Sequence, residues 1–242
     1  MWNRCLFVIT TLLLSQVAQA SVVMTGTRII YPGDAKEKSV QLANNDSFPN
    51  VVQLWTDINN PQSTPENADG PFAVLPAVAK VKANGGQTVR LIYTGEALPS
   101  DRESVFYLNF LQIPPAEKAS SNENKMLIML RNRVKIFYRP EGLNIKVSEV
   151  PNLINFTVQS QPNGLQVEVE NTSPYFASFT RGDLKYQGRD IALPVEMVAP
   201  FSKVSWAVDN MKLVPQTPAS IQFTLVNDLG ASVTQEQAVV IR

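Results

Sequence analysis

Short runs of valine, isoleucine, threonine, phenylalanine and tyrosine, interrupted by clusters of glycine, proline and asparagine, recur along the whole chain. This texture is what most constrains the fold, because it is the pattern of an all-β protein. Helical periodicity is scarce. In the first half the pattern predicts strands near residues 22–30, 39–43, 51–58, 77–82, 88–93, 105–113 and 125–138. Turns between them fall at Tyr31-Pro32-Gly33-Asp34, Asn59-Asn60-Pro61 and Asn84-Gly85-Gly86. Seven strands in about 120 residues fit one immunoglobulin-like sandwich. The second half repeats the style, with strands near 155–160, 165–170, 176–179, 184–186, 204–207, 221–226 and 233–241 and turns at Pro162-Asn163-Gly164, Gln187-Gly188 and Asn227-Asp228-Leu229-Gly230. The break is expected just after Arg139-Pro140-Glu141-Gly142, where proline and glycine end a long strand. No motif of fixed period appears, which argues against a solenoid or propeller.

Length and composition agree with two lobes. The 242 residues exceed the usual single-domain size, and 44% hydrophobic against 17% charged residues supplies material for two packed cores. The first twenty residues differ from the rest: Arg4, then an apolar run from Leu6 to Leu14, then Ala18-Gln19-Ala20. This reads as a secretory signal with the mature chain starting near Ser21, so residues 1–20, 21–141 and 142–242 are the expected segments. The apolar run is too short to span a bilayer and no later stretch approaches the required length, so no membrane insertion is expected. Cys5 is the one cysteine, lies inside that signal, and lacks the small residue before it that a lipoprotein box needs. The mature chain therefore relies on packing without disulfides, in a compartment that would permit them.

The sequence also lacks histidine. Without His or a mature Cys, the usual zinc, copper and haem sites and the Ser-His and Cys-His nucleophile pairs are unavailable, so no cofactor and no metal are expected. No paired acidic motif suggests carboxylate chemistry either, and the expectation is that the chain is not an enzyme. Lys+Arg and Asp+Glu number 21 each, so the overall charge gives no reason to expect nucleic acid as a partner.

Two features stand out against this background. Met126-Leu127-Ile128-Met129-Leu130 is a run of large apolar residues inside an expected antiparallel strand. Side chains alternate between faces, so one parity can fill the chain's own core while the other must find apolar company. As a central strand it would be covered on both sides. As an edge strand it would offer its backbone, with Met126, Ile128 and Leu130, to another chain; Arg131, Asn132 and Arg133 would then serve as the charged guard that free edges carry. The second feature is cationic: Arg28 in Thr27-Arg28-Ile29-Ile30 and Lys135 in Lys135-Ile136-Phe137-Tyr138-Arg139-Pro140 each stand in an apolar strand. Either is an ordinary surface charge if alone, and the two converging would form a carboxylate receptor.

Asp101-Arg102-Glu103-Ser104-Val105-Phe106-Tyr107-Leu108-Asn109, followed by Ile113-Pro114-Pro115 and then Lys135-Ile136-Phe137-Tyr138-Arg139-Pro140, resembles the signature of the PapD-like periplasmic pilus (fimbrial) chaperones. The resemblance implies two immunoglobulin-like β-sandwich domains in a boomerang arrangement. It implies a chaperone of the chaperone-usher pathway, active in the periplasm, that holds pilus subunits by donor-strand complementation and passes them to an outer-membrane usher. A self-capping homodimer of the unloaded chaperone is a further partner it suggests. By position Arg28 and Lys135 match the pair that anchors the subunit's C-terminal carboxylate. Met126, Ile128 and Leu130 match the donor-strand residues, and Glu103, Arg139 and Asp228 match a charged trio between the lobes.

Three details go with this mapping. The link through residues 116–124 resembles the short-loop branch rather than the long-loop branch, in which a cysteine pair would be expected. Leu75-Pro76 aligns with a position commonly cis in relatives, against the general trans default. Lys135 has the parity of Leu127 and Met129, opposite to the donor set, so a bulge, a strong twist or the reach of the lysine is expected to bring it to the anchor. Rival readings are a pilus subunit and a generic immunoglobulin-like binding module; the second would leave Arg28 and Lys135 apart in space.

Overall fold

A computed structural model describes residues 21–115, 126, 128–211 and 213–242. The expected signal (1–20), the loop 116–124, Lys125 and Leu127 lie outside the described residues. The first lobe runs through β1 (Val22–Met24), β2 (Arg28–Pro32), β3 (Lys38–Asn44), β4 (Asn50–Asp57), β5 (Phe72–Leu75), β6 (Val78–Val81), β7 (Gly86–Tyr93), β8 (Ser104–Ile113) and β9 (Leu130–Arg139). One sheet has the order β1-β3-β7-β5 and the other β2-β9-β8-β4-β6. Between them alternate side chains of both sheets close a core around Tyr31, Leu42, Val52, Leu91, Leu108 and Ile136. The Leu75-Pro76 peptide bond is cis.

The second lobe contains β10 (Ile154–Gln161), β11 (Gly164–Asn171), β12 (Phe179–Tyr186), β13 (Arg189–Ala192), β14 (Ser202–Asp209), β15 (Pro218–Val226) and β16 (Ser232–Val240). Its sheets, β10-β11-β14 and β13-β12-β15-β16, enclose a core centred on Phe156, Phe179, Trp206 and Phe223, in which the Phe179 and Trp206 rings meet edge to face at 5.1 Å. After β16 the chain bridges to the other sheet, with Ile241 beside Val158 and the Arg242 amide donating to the Val158 carbonyl. Leu143, Ile145 and Val147, just past Gly142, pack on this second core. Among the described residues no helix is long and apolar enough to cross a membrane.

Several strands differ from their sequence pattern, each for a local reason. The single strand expected over 22–30 is two strands in two sheets. Gly26 adopts φ +93°, which is outside extended geometry, and the chain crosses from β3's flank to β9's flank between Met24 and Arg28. The strand expected from 125 begins only at Leu130. Its partner β8 ends at Ile113, where Pro114-Pro115 has no N–H to continue a ladder. Of the segment expected at 176–179 only Phe179 is in a strand, as the first residue of β12, which runs on through 184–186 with a register shift between Phe179 and Arg181, while Ala177 makes a separate bridge to Val198. Strands β5 and β13 had no prediction.

Candidate functional site

Strand β9 has two different flanks. On one side it pairs antiparallel with β8 from Leu130 to Tyr138 without a break in register. On the other side β2 pairs with it in parallel, and this cover starts only at Arg28 opposite Lys135 and runs to Pro32 opposite Arg139. Among the described residues, 130–134 therefore keep one edge without a strand partner. Described residues at and before that edge are apolar and exposed: Met126 is 89% exposed, Ile128 65% and Leu130 50%. The central-strand alternative for the apolar run does not hold at Met126, Ile128 and Leu130.

The unbroken ladder also fixes which way each side chain points. Val134, Ile136 and Tyr138 turn into the first lobe's core, and Leu130 shares their row. Lys135, Phe137 and Arg139 turn to the opposite face, where the second lobe lies. Phe137 is buried there against Phe176, with ring centroids 5.8 Å apart. Lys135 thus reaches the lobe junction by ordinary alternation, without a bulge in the β8–β9 ladder, because it and Leu130 are on opposite faces of one strand.

Arg28 and Lys135 are register neighbours on two parallel strands. Arg28 Nη1 donates to the Val226 carbonyl of β15 at 2.8 Å, and its guanidinium lies 5.5 Å from the Phe137 ring centroid. Its Nε is buried with no hydrogen-bond partner among the described residues. Among the described residues neither cation has a carboxylate within ion-pair distance. Burial pushes the Lys135 ammonium below its ordinary value, with the charges of Arg28 and Arg133 adding to the effect. Burial also lowers Arg28, against the opposing pull of Asp228 and Glu103. Two adjacent, half-buried cations without an ion-pair partner among the described residues, one with a spare N–H, have the chemistry to accept an anion.

Glu103, Arg139 and Asp228 meet where the lobes join. Arg139 Nε donates to Glu103 Oε1 at 2.9 Å, and Nη1 and Nη2 grip both oxygens of Asp228 at 2.8 and 2.9 Å. Burial opposes the Arg139 charge, but the hydrogen bonds and charges of its two partners outweigh it and hold the guanidinium firmly protonated. Burial lifts the Glu103 carboxyl above its usual range against the pull of Arg139. Glu103 binds the second lobe by backbone as well: Oε2 accepts the Phe176 amide and its own amide donates to the Pro174 carbonyl, both at 2.9 Å. Beside this trio a cavity of about 380 Å³ separates the lobes, walled by Phe137, Val150, Tyr175, Phe176 and Leu225.

Arg131 and Arg133 do not guard the open edge as the sequence suggested. They lie flat on the outer face of the sheet, where Arg133 pairs with the buried Asp57 at 2.5 Å and Arg131 bonds Asn109 at 2.7 Å. Sequence reasoning passed over Asp57 and Asn109. The available signal was an acid and an amide inside two expected strands, each requiring a buried partner.

The relatives of this chain share its two-lobed plan. Residues 21–144 match the family model described as pili and flagellar-assembly chaperone, PapD N-terminal domain, and residues 149–237 match that of pili assembly chaperone PapD, C-terminal domain. A probable fimbrial chaperone, YadV of Escherichia coli strain K12, is 36% identical over 228 residues, covering 93% of this chain and 92% of the relative. The chaperone protein HifB of Haemophilus influenzae is 39% identical over 218 residues, covering 88% and 86%. The crystal structure of the YadV chaperone superposes with a TM-score of 0.75 at 33% identity, over 90% of this chain and 100% of that one. On both halves of its sequence and on its fold, the chain belongs to the PapD family of pilus-assembly chaperones, a family of chaperones and not of enzymes.

Proposed function

We propose that this chain works in the periplasm, where it holds pilus or fimbrial subunits by lending them the open edge of β9 and anchoring their C-terminal carboxylate on Arg28 and Lys135, before delivery to an outer-membrane usher. Residues 1–20 are its export signal, and residues 21–141 and 142–242 are its two working lobes. One observation carries the reading: the two unneutralised cations sit side by side at the point where the edge of β9 passes from covered to open.

That placement sets a direction. A strand on the edge at residues 130–134 whose carboxylate meets Arg28 and Lys135 ends at the Lys135 side, so it runs parallel to β9 and heads toward the start of β2, which is itself parallel to β9. It continues a pairing geometry already present in the sheet. The inward row of Met126, Ile128 and Leu130 then enters the subunit's open core, each side chain contributing about 1.5–3 kcal/mol before ordering costs. The carboxylate fixes register, because a one-residue slip would turn the wrong row inward. In the unloaded state the same edge and apolar residues remain exposed, and a second copy of the chain is the natural cap. A generic binding module gives no reason for Arg28 and Lys135 to be neighbours.

The test is recovery of subunits. Mature chaperone purified from periplasmic extract is expected to bring fimbrial subunits with it, identified by mass spectrometry, and Arg28→Ala to bring none while remaining folded. Equal recovery by the two proteins would overturn the anchor.

A further inference from the structure

The outer face of β4, β8 and β9 carries a polar lattice that no step of subunit capture has used so far. Asp57 is fully buried, and its carboxylate accepts Arg133 Nη2 at 2.5 Å, Arg133 Nε at 3.2 Å, Asn109 Nδ2 at 2.6 Å, Ser63 Oγ at 3.2 Å and the Asn60 amide at 2.8 Å. Arg131 donates to Asn109 Oδ1 through Nη2 and Nε, at 2.7 and 3.1 Å, and to Ser63 Oγ at 3.2 Å. Both guanidiniums also cover aromatic rings: Arg131 stands 5.1 Å from the Trp55 centroid and Arg133 3.3 Å from that of Tyr107.

The register makes this more than a stabilising cluster. Gln53, Leu111 and Arg131 share one cross-strand row; Trp55, Asn109 and Arg133 the next; Asp57, Tyr107 and Lys135 the third. Each arginine bonds diagonally, one row nearer the anchor: Arg131 to the row of Asn109, Arg133 to the row of Asp57. A backbone ladder resists a one-residue slip, because that would exchange the faces, but it tolerates a two-residue slip that preserves them. Among the described residues, 130–134 have β8 as their one strand neighbour, while 135–139 are held by β2 as well, so the ladder alone leaves open a two-residue slip confined to 130–134 and taken up by a bulge before Lys135. The diagonal bonds close it, since moving this segment by two would take Arg133 from Asp57 and Arg131 from Asn109. Such a slip would change the distance between the donor residues and Lys135 by roughly 7 Å.

We infer that Asp57 is a positioning residue for subunit capture: acting through Arg133, and with Asn109 and Arg131, it fixes the spacing between the donor segment of β9 and the Arg28–Lys135 anchor, so that one strand can engage both together. The inference rests on the carboxylate-anchored strand addition proposed above. Two contacts on one ligand reinforce each other only when the geometry lets both form, and this lattice supplies that geometry.

The test uses a nine-residue peptide, one lysine followed by four threonine-valine pairs, made as the free acid and as the C-terminal amide, titrated into the mature two-lobed protein. The wild type is expected to bind the acid at least ~10-fold more tightly than the amide, the advantage of the charge-assisted anchor. In Arg133→Gln the amide affinity is expected to stay within about threefold while the acid advantage falls below about threefold, because edge and anchor no longer engage together. Asp57→Asn is expected to behave likewise; if it does not fold, Arg133→Gln alone decides. Hydrogen exchange at the β9 amides that bond β8 is expected to quicken for residues 130–134 and to hold at Ile136. An acid advantage unchanged in a folded variant would make the lattice a stabiliser only and overturn the positioning role. No acid advantage in the wild type would instead overturn the carboxylate reading beneath it.

Discussion

Replacing Lys135 by methionine is expected to move stability and capture in opposite directions. Arg28 and Lys135 stand directly beside each other across two strands, with no carboxylate among the described residues within ion-pair distance of either. Like charges facing each other across a sheet cost about 0.2–1 kcal/mol, so Lys135→Met should stabilise the free protein by up to that amount, roughly 2–4 °C in Tm. Loss of one charge-assisted bond to the ligand carboxylate costs about 1.5–3 kcal/mol, which weakens binding of a free-acid strand peptide by roughly 10- to 150-fold. The pH dependence has a definite sign. Burial, Arg28 and Arg133 hold the Lys135 ammonium below its ordinary 10.5, so the folded state binds this proton more weakly than the unfolded state. The charge therefore costs stability at all pH below the folded value, and the cost fades as pH rises from there toward 10.5. Over that rise the wild type should gain on Lys135→Met in thermal unfolding followed by circular dichroism, while its affinity for the peptide acid falls as the cation is lost. A variant that loses stability and binding together would make Lys135 a structural residue and refute the reasoning.

Three further substitutions test other parts of the molecule. Ile128→Asp should abolish subunit capture and leave Tm unchanged, since Ile128 is 65% exposed; loss of the fold would place it in the core instead. Arg139→Met strands the buried Glu103 and frees Asp228, and removing one member of a buried pair costs about 3–5 kcal/mol; lower thermal stability with a broader distribution of lobe angles in small-angle scattering is expected. Gly164→Ala would press a methyl group into the Val208 carbonyl oxygen, so the second lobe should lose about 1–3 kcal/mol while peptide binding on the first lobe is retained.

Much of the molecule was legible because the all-β texture repeats locally: a strand such as β3 declares itself through alternating Val40 and Leu42. What failed to show was non-local or weakly patterned. Strand β13, Arg189–Ala192, is a short edge with one buried residue, Ile191, and has too little alternation to read. The pairing of Arg28 with Lys135 joins residues more than a hundred positions apart, and the motif resemblance, not the pattern, brought them together. Arg131 and Arg133 read as edge charges because a sequence does not reveal that an aspartate of β4 is buried two strands away. The parity of Lys135 looked like a difficulty only because the anchor and the donor row were assumed to share a face.

One local break underlies both halves of the site. Between β1 and β2 the chain crosses from one sheet to the other, and the position of that crossing decides where β2 begins, hence where the cover of β9 ends and where Arg28 stands. Gly26 makes the crossing at φ +93°, and a Cβ added there would have room, its nearest neighbour being the Arg28 carbonyl oxygen at 3.7 Å. Gly26→Ala therefore tests conformation without overlap. An L-residue forced into that region costs about 1–2 kcal/mol, relieved if the turn shifts and carries the start of β2 with it. The expected result is a first lobe that melts a few degrees lower and a weakened preference for peptide acid over amide, with amide binding retained, because the open edge survives while Arg28 moves. A destabilised Gly26→Ala that keeps the full acid preference would show that Arg28 is placed by its hydrogen bond to the Val226 carbonyl and its contact with the Phe137 ring, and that the crossing sets only the length of the edge.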